Sequence, residues 1–330
     1  MIMSKPFLKN LAPLFFGALF FLLAGEICVR IYLKNHIVYD VEMSHYSLKL
    51  KRDSPNPRID HIHKSNASAR LMGVWIRTNS DGFRDSEHSL ASAGKKRIVF
   101  LGDSLTLGWG VENKDTFKKI LEQQLSEKIS TEIINTGTGN YNTEQEVNLF
   151  IEQGLKYKLD KVVVFYFIND AEPTPKKSGL WFLGYSRFLT LYWSRLHTLT
   201  GRWNPSGGYR AYYSGLYADN KPGLERTKAA FLLLRNVCQE NNILLQVVLL
   251  PELHELQTYP FAREHKLITD FLTSNSIDCL DLAPYFSTVE HPRELWVAKD
   301  DAHPNSKGHR LIAQHALAFI KKGLCEKKGP

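Results

Sequence analysis

Residues 97–105 read RIVFLGDSL. A short apolar run ends at Gly102, and a serine follows two residues later, where a strand would turn into a helix. Apolar segments of two periods alternate downstream. Spacing near 3.6 predicts helices over 116–129, 144–155, 224–240, 261–273 and 307–321. Short apolar runs predict strands over 132–135, 161–167 (KVVVFYF), 243–250 (ILLQVVLL) and 279–282. Strands apolar on both faces and separated by helices imply a parallel sheet covered on two sides. The expected fold is therefore α/β, a three-layer α/β/α sandwich with a flavodoxin-like parallel sheet.

Reactive groups in such sheets collect at the carboxyl ends of the strands. Four segments fall there. Gly102-Asp103-Ser104-Leu105 follows the first strand and presents a serine hydroxyl at a strand-to-helix turn. The stretch 135–140, NTGTGN, follows the second, and its glycines let a backbone N–H approach a ligand closely. Asn169-Asp170 ends the third, placing a side-chain amide where it can donate to a developing oxyanion. Asp300 to Asn305, DDAHPN, precedes the last helix. A carboxylate three residues before His303 can accept its Nδ1–H and leave Nε2 free as a base.

Together these blocks resemble those of the SGNH (GDSL) hydrolase family, from about Arg97 to the last helix. The resemblance implies Ser104 as nucleophile, His303 as general base and Asp300 as the carboxylate that orients it. It implies an oxyanion hole of the Ser104 N–H, a backbone N–H of Gly139 or Asn140, and the Asn169 side chain. Three positions depart from the family pattern. Asn140 stands where the second block has glycine, and Phe167 stands two before Asn169 where the third block has glycine. Asp301 competes with Asp300, and spacing favours Asp300. The segment 79–84, NSDGFR, also resembles membrane-anchored bacterial members; Arg84 reads as structural support beneath the site, or as a binder of a substrate anion.

Upstream, residues 11–25 (LAPLFFGALFFLLAG) carry no charge, and apolar character resumes to Leu33 around Glu26 and Arg30. Residues 11–33 can span a bilayer, which takes about 20 apolar residues; a cleaved signal peptide is the other reading. Lys5 and Lys9 favour an N-terminus held inside, although Arg30 and Lys34 weaken the asymmetry. The expected organisation is a cytoplasmic stretch 1–10, an anchor 11–33, a stalk or covering segment 34–95, a hydrolase domain 96–322 and a basic tail 323–330. Residues 171–221 interrupt that domain with an aromatic-rich insertion, either a lid or substrate-contacting wall, or a subdomain with its own small core.

The net charge of +8 comes from scattered Lys and Arg with no nucleic-acid-binding motif, so a nucleic-acid partner is not expected. Four cysteines without a CxxC pair give no basis for a zinc site or a disulfide framework. His61 and His63 could ligate a metal but read better as surface histidines, and no cofactor is expected. The resemblance and the anchor together imply a serine esterase in the bacterial inner membrane with its catalytic domain in the periplasm. It would remove small acyl groups, acetyl above all, from cell-envelope or exported carbohydrate. Alternatives are an O-acyltransferase using the same residues on a polysaccharide, a lipid esterase, or a binding protein that has kept the fold.

Overall fold

The computed structural model describes residues 5–174, 184–201 and 208–324. The chain divides into two compact units, Met1–Leu48 with Ser178–Pro205, and Lys49–Lys177 with Ser206–Pro330.

The first unit holds helix α1 (Lys5–Tyr32) and most of α2 (Tyr39–Leu50). Within α1, Ala12–Tyr32 is a 21-residue stretch of mean hydropathy 2.1, none of it buried. Its length and composition suit a membrane span and equally a signal sequence. Glu26 accepts from Arg30 Nε at 2.7 Å, one turn on. It also accepts from Ser186 Oγ at 2.8 Å and from the Phe188 N–H at 3.0 Å. Glu26 thereby satisfies donors at the start of another helix, Arg187–Gly201, where a negative charge suits the helix dipole. The Phe188 ring meets Phe21 edge-on at 5.6 Å.

In the second unit, strands β1 (Lys51–Asp53) and β2 (His61–His63) pair antiparallel, as do β3 (Ser68–Leu71) and β4 (Val74–Arg77). The central sheet comprises β5 (Lys96–Gly102), β6 (Thr131–Asn135), β7 (Lys161–Tyr166), β8 (Leu244–Leu249) and β9 (Asp278–Asp281). All pairs are parallel, in the order β6-β5-β7-β8-β9. Helices α3 (Ser104–Leu107), α4 (Phe117–Ser126) and α5 (Thr143–Leu149) follow the early strands, and the α1-packed Arg187–Gly201 is α6. Then come α7 (Gly208–Leu216), α8 (Pro222–Glu240), α9 (Ala262–Ser274) and α10 (Ala283–Phe286). A hairpin of β10 (Trp296–Ala298) and β11 (Asp301–Pro304) precedes α11 (Ser306–Lys321).

Alternation along each strand sorts side chains into two cores. Val99, Leu101, Val162 and Val164 meet α5, α8 and α9 through Val147, Phe231 and Ile268 on one face. Ile98, Phe100, Val163 and Phe165 meet α4 and α11 through Phe117, Leu121, Ile312 and Ala316 on the other. Helices thus cover both faces, as the apolar strands require. The strand order reverses beside β5, which makes the carboxyl ends of β5 and β7 the topological switch point.

From Lys49 the segment expected as a stalk or covering segment belongs to the second unit, with Ile59, Ile62 and Phe83 in its core. His61 and His63 are buried rather than on the surface. Each ring faces a carbonyl, His61 Nε2 to Gly139 O and His63 Nδ1 to Gly82 O, both at 3.0 Å. Burial lowers both imidazoles to about 3, so they stay neutral hydrogen-bond donors. The insertion is also divided, with α6 in the first unit and α7 in the second. Its Trp181, Phe182 and Trp203, and Cys325 of the tail, lie outside the described residues. Cys28, Cys238 and Cys279 are free thiols.

His309, buried on α11, accepts the Phe117 N–H on Nδ1 at 3.0 Å. Burial first, then Arg84 and His303, lower its pKa from 6.5 to about 3. The unfolded chain therefore takes up this proton first as pH falls. The neutral ring's contribution is complete above pH 6.5 and is lost progressively toward pH 3. At pH 5 the loss is about 2 kcal/mol. His309→Gln keeps an acceptor but does not titrate, so its penalty should be about 2 kcal/mol smaller at pH 5 than at pH 7. Urea midpoints of both proteins at the two pH values check this; equal penalties would contradict it.

Candidate active site

Gly102 ends β5 where the chain must pass close under α3. A Cβ there would lie 2.0 Å from Thr106 Oγ1, so only glycine fits. Asp103 caps α3, its Oδ1 accepting the Leu105 N–H at 2.8 Å. Ser104 is the first residue of the helix, with its hydroxyl 2.8 Å from His303 Nε2. Asp103 Oδ2 lies farther from that hydroxyl, at 3.3 Å. A hydroxyl has one proton, and the shorter contact directs it at the histidine.

The carboxylate on His303 is Asp301 and not Asp300. Asp301 Oδ1 lies 2.5 Å from His303 Nδ1 and accepts the His303 backbone N–H at 3.1 Å. The reason is local geometry. Residues 301 and 303 both belong to β11, and residues two apart on a strand share a face. Asp300 sits in the exposed turn of the β10–β11 hairpin, where the register pairs Ala298 with Asp301. A spacing argument made for a loop fails once the segment becomes a strand.

Asp301 Oδ2 accepts Trp109 Nε1–H at 3.1 Å. Burial works to raise this carboxyl, but hydrogen bonds from His303 and Trp109 outweigh it and hold it below the ordinary range. Trp109 escaped the sequence reading, although its flanking glycines mark a tight turn after the GDSL segment. Gly110 lets the hairpin seat, since a Cβ there would lie 2.1 Å from Val297 Cγ2. Arg84 supports the same turn. Its guanidinium donates to the carbonyls of Leu107, Gly108 and Val111 at 3.0, 2.5 and 2.7 Å. A longer contact, 3.4 Å, reaches the Trp75 carbonyl, so Arg84 ties the segment before β5 to the chain just past the nucleophile.

The second block is stitched to the first. Asn135 Nδ2 donates to Thr106 O at 3.0 Å, and the Thr138 N–H to Gly102 O at 3.0 Å. The Gly137 N–H is taken by Asn135 Oδ1 at 2.9 Å. These bonds commit the earlier amides and carry the chain to Gly139 and Asn140. Asn140 adopts φ +67°, the left-handed conformation that asparagine tolerates best after glycine.

Asn169 lies in a 3₁₀ turn, Ile168–Ala171, at the end of β7. Its Nδ2 makes a long 3.4 Å contact with Asp103 Oδ2, which puts the amide beside Ser104. Asp170 fixes the turn, its Oδ2 accepting the Phe167 N–H at 3.2 Å while its carbonyl takes Thr227 Oγ1–H at 2.9 Å. Asp103, Glu146 and Asp170 are all buried. Burial raises all three carboxyls, and mutual repulsion adds to it for Glu146 and Asp170.

A serine hydroxyl on a histidine, at the switch point of a parallel sheet, is the arrangement of a serine hydrolase. Residues 100–311 match the GDSL-like lipase/acylhydrolase family, and the chain belongs to it. It is a hydrolase acting on ester bonds, with Ser104 and His303 as its candidate catalytic pair. No curated protein matches the chain. Among solved structures it is similar to an acetylxylan esterase from Geobacillus stearothermophilus, crystallised as a catalytic mutant. That pair is 14% identical with TM-score 0.47, covering 72% of this chain and 100% of the other. A lipase/acylhydrolase from Enterococcus faecalis is 14% identical with TM-score 0.46, covering 71% and 100%. The psychrotrophic esterase EstA from a Pseudoalteromonas species is 15% identical with TM-score 0.44, covering 70% and 100%.

Proposed function

We propose that the protein is a serine esterase that removes small acyl groups, acetyl above all, from cell-envelope or exported carbohydrate through an acyl-serine. In this reading α1 is a retained anchor in a bacterial inner membrane, and the catalytic unit lies outside it. The observation that carries the reaction is the continuous chain of hydrogen bonds Ser104–His303–Asp301.

Ser104 Oγ attacks the ester carbonyl as His303 Nε2 takes its proton, while Asp301 holds the imidazole and balances its charge. The Ser104 N–H, an N–H at Gly139 or Asn140, and Asn169 Nδ2 face the oxyanion. Collapse expels the alcohol, which takes the proton from His303. Water then attacks the acyl-serine with His303 again as base, releasing the acid and restoring Ser104. Carbohydrate esters are supported by the polar loops beside the site. Glu172, part-exposed, follows the carboxyl end of β7, where a long acyl chain would have to desolvate it.

Removing one oxyanion donor typically costs about 3 kcal/mol. Asn169→Ala should therefore lower kcat by about 100-fold with KM little changed. The overall reading is tested on the full chain in detergent with p-nitrophenyl acetate, longer esters, and a serine-reactive fluorophosphonate. Turnover favouring acetate, together with labelling at Ser104, is the expected result. No turnover and no label would overturn the reading.

A further inference from the structure

Helix α7 sets a row of rings along the site. It packs against the 3₁₀ turn that carries Asn169. Tyr212, 54% exposed, donates its hydroxyl to Glu172 Oε1 at 2.9 Å, three residues past Asn169. Tyr209 donates to Glu255 Oε1 at 2.6 Å, and Arg210 Nε donates to the same oxygen at 2.9 Å. The Tyr209 ring lies 4.9 Å from His254, and His254 lies 4.6 Å from Trp296. Trp296 is fixed by its Nε1–H on Leu253 O at 2.9 Å and stands opposite Pro304, the residue after His303. The row therefore runs from the oxyanion side to the base side. Tyr213 meets Tyr212 edge-on at 5.4 Å, and its phenol is pushed up by burial first and then by Glu172 and Glu252.

We propose that this rim is a carbohydrate subsite, in which a neutral pyranose ring of the acylated substrate lies on Tyr212 and the His254–Trp296 pair. The proposal rests on the esterase reading above and names the part of the substrate that is not the acyl group. Its chemistry is set by what the rim offers. The Tyr209 and Tyr212 hydroxyls spend their protons on Glu255 and Glu172, which leaves the two phenol oxygens as acceptors. Sugar hydroxyls are the matching donors, and the apolar C–H face of a pyranose suits an aromatic surface. A long acyl chain would take the Glu172 and Glu255 carboxylates out of water without offering them a donor of its own.

Two measurements on the full chain in detergent test this. In the first, the Ser104→Ala protein is titrated with unacetylated xylo-, manno- and N-acetylglucosamine tetrasaccharides, followed by saturation-transfer NMR, with and without Tyr212→Ala. At least one oligosaccharide should bind, and Tyr212→Ala should weaken it about tenfold while Tyr212→Trp keeps it. In the second, wild type and Tyr212→Ala are compared on the O-acetylated form of that oligosaccharide and on p-nitrophenyl acetate. The ratio of the two kcat/KM values should fall about tenfold in the variant, through KM. Binding of none of the three sugars overturns the subsite even if p-nitrophenyl acetate is hydrolysed. An unchanged ratio overturns it too. Loss of p-nitrophenyl acetate turnover by the wild type itself strikes instead at the esterase reading, and sugar binding then decides the subsite alone.

Discussion

Ser104→Ala should lower kcat/KM for p-nitrophenyl acetate by a factor on the order of 10⁴ or more, and His303→Ala should do about the same. The double variant should be scarcely worse than either one. The hydroxyl is a nucleophile only when the imidazole 2.8 Å away can take its proton, so removing either group removes the same step. What survives should be the rate that the oxyanion donors and substrate binding supply unaided. Steady-state kinetics of the three variants check this, with fluorophosphonate labelling as a second readout that does not depend on substrate choice. Additive losses, or a labelled Ser104→Ala protein, would point to a different nucleophile.

Asp301→Asn should cost on the order of 10³ in kcat, whereas Asp300→Asn should stay within about twofold of wild type. Asp301 accepts from three donors, the His303 ring, the His303 N–H and Trp109 Nε1–H. A carboxylate offers acceptors on both oxygens, but an amide has only one acceptor oxygen and two N–H donors. Asparagine at this position must therefore turn its NH₂ toward either Trp109 or the imidazole. Facing the imidazole it favours the tautomer with the proton on Nε2, which cannot take one from Ser104. Facing Trp109 it opposes two donors in a buried place. Asp300 is exposed in the hairpin turn and makes no such contact. Comparable losses in both variants would return the role to the pair of aspartates together.

Much of this was legible in the sequence, because the features that announce it are local. Strands β5 to β9 each fall within about two residues of an apolar run, since a buried strand needs an unbroken one. Ser104, Asn169 and His303 each follow a strand or precede a helix, so their placement needed only the order of elements. The misses all involve tertiary context. Asp301 was passed over because β10 and β11 are only three and four residues long and β11 is polar at Asp301 and His303, so nothing local marks the pairing. His61 and His63 are polar residues buried by the segment before β5, whose short strands are too brief to show a period. Trp109 bonds a residue far along the chain, and nothing near it signals the partner. The division of the insertion between two units has no compositional mark, as both of its helices are rich in aromatics.

The nucleophile and the base come from unlike parts of the second unit. Ser104 follows β5, the second strand of a five-stranded sheet, whereas His303 and Asp301 ride together on one short hairpin. The candidate base and its carboxylate thus travel as one piece, their hydrogen bond internal to the hairpin. That piece seats through Val297 against Gly110, through Asp301 on Trp109 and through Trp296 on the Leu253 carbonyl. Sequence drift at this seam can retune the proton-transfer distance while leaving the imidazole's own partner untouched, so divergence in rate need not leave any trace among the reacting residues.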